Sequence, residues 1–311
     1  MPDFDILVVG EVNPDLVLTG DVTPAFGQTE KIIADATLAI GSSGAIFACG
    51  AARLGLRVAY SGVVGDDIFG RFMIDGLRER DVDTSGIRVD PALKTGLTVI
   101  LSRVNDRAIL THLGTINALR AEQVNRALLQ RARHLHTTSY FLQRTLQAGL
   151  PALLSEARSL RCTVSMDTNW DPAESWADGL DQALAQVDVF LPNEQEALAI
   201  TGRPNISEAL TALAQNIPTV VVKLGAMGAI CQQRQKRIQK AGFQVDVVDT
   251  TGAGDSFDAG FLYGYLQNWP LDDALALACA CGALSTRAAG GTTAQATLTE
   301  AQKMLGQGYK R

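Results

Sequence analysis

The 311-residue chain is 47% hydrophobic and 19% charged, which provides enough apolar material for a substantial core and excludes the composition of a disordered protein. Its formal net charge of −6 offers no broad cationic face to a polynucleotide, and no apolar run reaches the roughly 18 residues of a membrane span, so neither nucleic acid nor membrane is expected as a partner. The opening "MPDFDILVVG" lacks the basic start and cleavage site of a secretory signal, and the five cysteines read as reduced core thiols; both features predict a cytoplasmic protein.

In chain order, "DILVVG" reads as a first strand and runs into "GEVNPDL". There Asn13 and Asp15 set an amide and a carboxylate two residues apart at a strand end, a pairing suited to sugar hydroxyls; an Asn13-Pro14 turn that needs no ligand fits the same residues. Residues 14–38 alternate apolar and polar positions like a half-exposed hairpin. "GSSGAIFACGAARLG" follows, in which Gly41, Ser42 and Gly44 suit either a loop that meets a ligand or a simple helix start. "RVAYSGVVG" is the next strand, and Asp66 and Asp67 after it read as possible helix caps. Residues 96–112 form a second alternating segment around a turn at "VNDR". Neither hairpin carries a helix to cover it, so both are expected in a small β-lid or an oligomer contact.

From residue 134 onward the strands "HLHTTS", "TVSMDTN", "VDVFLPN" and "TVVVKLG" mostly alternate with helical patterns. The alternation predicts an α/β fold, a doubly wound and mostly parallel sheet with helices on both faces, in a single domain over 1–311 with a lid at about 14–38 and 96–112. Such sheets bind ligands beyond the carboxyl ends of their strands. Asp167 and Asn169 stand at one such end; Asn193 and Glu196, in "LPNEQE", stand at another with the spacing of a capping box. His136 reads as a structural histidine more readily than as a pocket residue.

The densest signal is "VVDTTGAGDSFDAGF", residues 247–261. Gly252, Ala253 and Gly254 can aim successive N–H groups at one anion at the start of a helix running from about Ala253 to Gln267. Asp255 at its edge is either a helix cap or a base that takes the proton of an attacking hydroxyl while the amides hold a phosphoryl group.

This stretch resembles the C-terminal signature of the PfkB family of carbohydrate kinases, the ribokinase-like kinases, and the similarity extends over most of the chain. The resemblance implies a ribokinase-like fold with Asp255 as catalytic base and Gly252, Ala253 and Gly254 as anion hole. It also implies acceptor contacts from Asn13, Asp15, Gly41 and Ser42, and places Lys223, Gly225 and Gly228 near ATP. Asn193 and Glu196 would organise Mg²⁺ and the phosphates through water, and Asp249 and Thr251 would serve a monovalent-cation site, commonly K⁺. Many members dimerise through a β-clasp, so a homodimer is expected. Three positions depart from the family pattern: Ser42 replaces a glycine, Ile46 an asparagine that contacts substrate, and Asp171 an arginine. The expected activity is ATP-dependent, in-line phosphorylation of a hydroxyl on a small sugar or sugar derivative. A nucleoside kinase, to which Ile46 and Phe47 would give an apolar acceptor pocket, and a non-catalytic sugar or nucleotide sensor are the alternatives.

Overall fold

The computed structural model describes residues 2–103 and 106–308. Its strands, in chain order, are β1 (Ile6–Val9), β2 (Pro14–Thr19), β3 (Asp35–Ile40), β4 (Val58–Gly65), β5 (Val82–Asp90), β6 (Leu97–Arg103), β7 (Asp106–His112), β8 (His134–Thr137), β9 (Thr163–Met166), β10 (Val189–Phe190), β11 (Thr219–Lys223), β12 (Ala229–Gln233) and β13 (Lys236–Lys240).

Nine of them form one sheet in the order β13-β12-β11-β10-β9-β8-β1-β4-β5. From β11 to β5 every pairing is parallel, and only β12 runs against its neighbours. The short apolar strands are buried on both faces, as a parallel sheet between helical layers requires. In β1, Ile6 and Val8 enter one hydrophobic core while Leu7 and Val9 enter the other. The first core is closed by helices Ser43–Arg53, Ala253–Leu266 and Leu271–Ser285; the second takes in Leu150–Ser159 and Ile206–Leu213. All five cysteines are buried and free, as their apolar settings predict. No described helix is long and apolar enough to cross a membrane.

The two alternating segments pair with each other in a second sheet, ordered β3-β2-β6-β7. Each is an antiparallel pair, and β2 joins β6 in parallel. The first pair extends to Ile40, two residues beyond the expected boundary, and is followed almost at once by helix Ser43–Arg53, contrary to the expectation that no helix follows. That helix turns back to pack on the main sheet, so it still leaves the small sheet uncovered. The expected "VNDR" turn includes Val104 and Asn105, which lie outside the described residues.

Register decides what each face of the small sheet presents, because paired residues project to the same side. Asp15, Thr98 and Thr111 line up on one face, as do Thr19, Ser102 and Arg107. Leu16, Leu18, Leu38, Val99, Leu101 and Leu110 share the other. That second face is apolar, with Leu110 60% exposed.

Leu135 in β8 is fully buried beneath the helical layer. Leu135→Ala should lower unfolding free energy by about 2–5 kcal/mol in urea titrations, and a loss below about 1 kcal/mol would contradict this packing.

Candidate active site

The carboxyl ends of β1, β8, β9 and β11 lie along one edge of the main sheet, and the chain leaves them through polar residues. Glu11 and Asn13 follow β1, Ser139 follows β8, Asp167 and Asn169 follow β9, and Lys223 ends β11. Opposite them begins helix Ala253–Leu266. Its N-cap, Gly252, adopts φ 71°, and a Cβ there would lie 2.8 Å from both Gly291 Cα and Ile46 Cγ2. Only glycine suits both the left-handed backbone and this close approach.

The turn differs in one respect from the expected anion hole. The Ala253 N–H donates to the Thr250 carbonyl at 3.2 Å, so of the three expected amides those of Gly252 and Gly254 remain for a ligand. The N–H groups of Gly254 and Asp255 fall in the first helical turn, where no intrahelical acceptor exists.

Asp255 stands in that turn, 8% exposed. Burial raises its pKa to about 7, with the Asp167 carboxylate adding to the rise and Lys223 and a hydrogen bond from Ser43 opposing it. A chain of short contacts leads away from this pair. The Asn169 Nδ2 donates to Ser43 Oγ and to Ser139 Oγ, both at 2.7 Å, and the Ser139 hydroxyl donates to Glu11 Oε1 at 2.6 Å. Gln143 Nε2 donates to the same Glu11 carboxyl at 3.0 Å. Glu11 is fully buried, which raises its pKa despite these donors.

Lys223 meets two carboxylates, with Nζ 2.7 Å from Asp167 Oδ2 and 3.1 Å from Asp258 Oδ2. Burial works against its charge, but Asp167 and Asp258 hold it protonated. Glu196 lies in reach of the same charges; burial and Asp167 raise its pKa to about 7. Its carboxyl closes a capping box with Asn193, accepting from the Asn193 backbone N–H at 2.9 Å while the Glu196 N–H donates to Asn193 Oδ1 at 2.9 Å. The structure thus places both residues in the cap that their spacing predicts.

At the start of β2, Asp15 is buried, and a Cβ on Gly41 would collide with its carboxyl. Burial raises the Asp15 pKa to about 7; Arg107 opposes the rise. The Asn13 amide donates to Thr98 Oγ1 at 3.3 Å, linking the site to the small sheet. Ser42 caps helix Ser43–Arg53 at φ 64° and donates its hydroxyl to the Glu11 carbonyl at 2.7 Å. This is the helix-start role, in a backbone region that explains why the family pattern has glycine there.

A cleft of about 820 Å³ opens on the far side of the 252–254 turn. Lys223, Gly225 and Gly228 line it together with Ala253 and Gly254; Asn193, Glu196 and Asp255 do not. Gly228 (φ 96°) lies against the backbone of Lys240 to Gly242, which keeps the floor open. Asp249 accepts from Thr251 N at 2.9 Å, Thr251 Oγ1 at 2.8 Å and Gly290 N at 2.9 Å. Burial tends to raise its pKa, but these donors hold it low. Among the described residues no group of three or more His, Cys, Asp or Glu side chains is arranged to hold a metal.

Burial corrects one expectation. Phe47 is fully buried and stacks on His136 at 3.9 Å between ring centroids, while Ile46 is 3% exposed and packs under Gly252 and Gly291. Neither widens an acceptor pocket. Asp171 turns its carboxylate back on its own loop, accepting from the backbone N–H groups of Ala173, Ser175 and Trp176. Asp67 caps helix Ile68–Arg78 as its position allows. Glu11, Ser43, Ser139 and Asp258 are site residues that the sequence reading passed over. For Glu11 the signal was its place where the first apolar run stops; for Asp258 it was the one-turn spacing from Asp255.

The folded Asp255 carboxyl keeps its proton up to about pH 7, whereas an unfolded one releases it near pH 4. Its ionisation therefore lowers stability as pH rises through that window. The melting temperature of Asp255→Asn, relative to that of the unaltered chain, should climb between about pH 4 and pH 7 and level off above. A flat or falling difference would contradict the buried carboxyl.

The pfkB family carbohydrate kinase model matches residues 3–298. An ATP-dependent ribose-1-phosphate kinase of Halopiger xanaduensis is 32% identical over 93% of this chain and 94% of its own. A structure from Escherichia coli, described as a ribokinase II in complex with ATP and Mg²⁺, superimposes with a TM-score of 0.87 at 23% identity, covering 98% of this chain and 99% of that one. An Arabidopsis thaliana ribokinase complexed with ribose and ATP gives 0.85 at 23% identity, with 97% and 98% covered. At these identities the two structures establish the ribokinase-like fold, and the family match goes further: this chain belongs to the pfkB family of carbohydrate kinases.

Proposed function

We propose that the protein transfers the γ-phosphoryl group of ATP to a hydroxyl of a small sugar or sugar derivative. The observation that carries this reading is Asp255: a buried carboxyl with a pKa near 7, at a glycine turn whose other side opens on a large cleft. A carboxylate there would repel a phosphate that was merely stored. It is well placed to take the proton of an alcohol attacking from the Asp15 side.

The cleft fits a nucleotide by its size and by the glycines that line it. The Gly252 and Gly254 amides would hold the transferring group as the acceptor oxygen–phosphorus bond forms and the bond to ADP breaks. Mg²⁺ would supply charge neutralisation on the phosphates, held mainly by phosphate oxygens and water. Asp15, with Asn13 beside it, would orient the acceptor, and Glu11 would fix the Ser139–Asn169–Ser43 chain behind the base. Asp249 and Thr251, with carbonyls near Gly290, would serve K⁺. The small sheet would close as a lid that excludes water. The Halopiger relative and the two nucleotide-bound neighbours support the choice of ATP and of a sugar. Burial of Ile46 and Phe47 favours a small sugar over a nucleoside, and an intact base argues against a mere sensor. Reduced thiols and ATP use suit the cytoplasm.

ADP release measured across a panel of sugars and nucleosides should rise with a sugar and stay at background with nucleosides. In Asp255→Asn it should fall about 10²–10⁴-fold while nucleotide binding survives. Turnover at the unaltered rate in that variant would defeat the assignment of the base.

The apolar face of the small sheet is the proposed homodimer contact. Leu110→Lys should shift the protein to monomer in sedimentation velocity at unchanged secondary structure; a dimer that persists would place the contact elsewhere.

A further inference from the structure

Resting on the phosphotransfer reading, we infer that Arg107, on β7 of the small sheet, is the group that grips the γ-phosphate as the lid closes over the site.

Three observations lead there. The first is register: the β2–β6 and β6–β7 pairings put Arg107 on the same face as Asp15, the face turned toward the main-sheet site. The second is reach. The Arg107 Nη1 stands 3.5 Å from Thr251 Oγ1, next to the Gly252 turn, so the side chain spans from the small sheet to the proposed phosphate cradle. The third is charge. Glu11, Asp15, Asp167, Asp249, Asp255 and Asp258 already crowd this region, and the ammonium of Lys223 is committed to Asp167 and Asp258. An arriving triphosphate adds negative charge that Lys223 cannot answer without abandoning those partners.

Arg107 is differently situated. Its hydrogen bond to Thr251 is at the long limit, and among the described residues it makes no ion pair within 4 Å with the Asp15 and Asp249 carboxylates whose charge it feels, so the guanidinium can turn to a better acceptor. It is exposed, carried by a sheet joined to the rest of the chain at its ends, and its fork of donors matches the oxygens of a phosphoryl group. Closure of the small sheet would bring it over the phosphorus from the side opposite the Gly252 and Gly254 amides. Arg107 takes no part in bond making; it neutralises charge on the group in flight between ADP and the acceptor. Because its partner is the γ-phosphate, it discriminates ATP from ADP.

Calorimetric titration of Mg²⁺ complexes of ADP and of the β,γ-imido analogue of ATP tests this without knowledge of the acceptor. Arg107→Gln should weaken the triphosphate analogue by about tenfold and leave ADP within about twofold. Arg107→Lys should restore part of the loss. Equal weakening of both nucleotides would mark Arg107 as a structural tether of the turn, and no weakening of either would remove it from the site; both results overturn the inference. If the unaltered protein bound both nucleotides but released no ADP with any alcohol, the phosphotransfer reading would fail, and the titration would still decide whether Arg107 recognises the third phosphate.

Discussion

One ammonium group sets the terms for the site. Lys223 Nζ is nearly sealed from water and bridges Asp167 and Asp258, drawing the ends of β9 and β11 onto the first turns of helix Ala253–Leu266. Removing one partner from such a buried cluster leaves an uncompensated charge, which is far costlier than exchanging a surface ion pair. The same ammonium counters Asp167 in the fields felt by Asp255 and Glu196, so that burial raises both carboxyls only to about 7. A buried carboxyl poised near neutrality thus reflects burial offset by one lysine, and Lys223 lines the cleft with its charge already committed to two carboxylates.

The parallel sheet makes that arrangement possible. Its strands end together at one edge, and the helix starting at Gly252 faces that edge, so carboxylates distant in sequence converge without any one segment being unusually acidic. The small sheet adds what the main sheet lacks. It contributes Asp15 and Arg107 from one face and a mostly apolar surface on the other, and β2 emerges directly from the site at Asn13. Under the proposed function, a motion of this sheet would therefore change the acceptor contacts and the local charge together. That coupling is what a phosphotransfer site needs to favour an alcohol over water.

Much of the fold was legible because the physics is local. Strands such as "DILVVG" and "TVVVKLG" carry unbroken apolar runs, Ile6–Val9 and 220–222, and burial on both faces is what produces such runs. β5 escaped notice because "VDTSGIRVD" mixes charge into an edge strand that needs only partial burial. The glycine turn was legible too, since Gly252 must take a left-handed conformation against Gly291 and Ile46. What sequence could not supply was pairing at a distance. The Glu11–Ser139–Asn169–Ser43 chain joins four segments. The burial of Phe47 against His136 depends on a neighbour 89 positions away. Likewise Ala253 looks like one amide of three until the turn commits its N–H to Thr250.

The most direct test of the account is a crystal structure with ADP, aluminium fluoride as the phosphoryl mimic, Mg²⁺ and a sugar that supports ADP release. The account predicts an Asp255 carboxylate oxygen within hydrogen-bond distance of the sugar hydroxyl aligned with the mimic, and the ADP in the cleft lined by Gly225 and Gly228. A hydroxyl aligned with the mimic but attended by another side chain, with Asp255 still bonded only to protein groups, would contradict it.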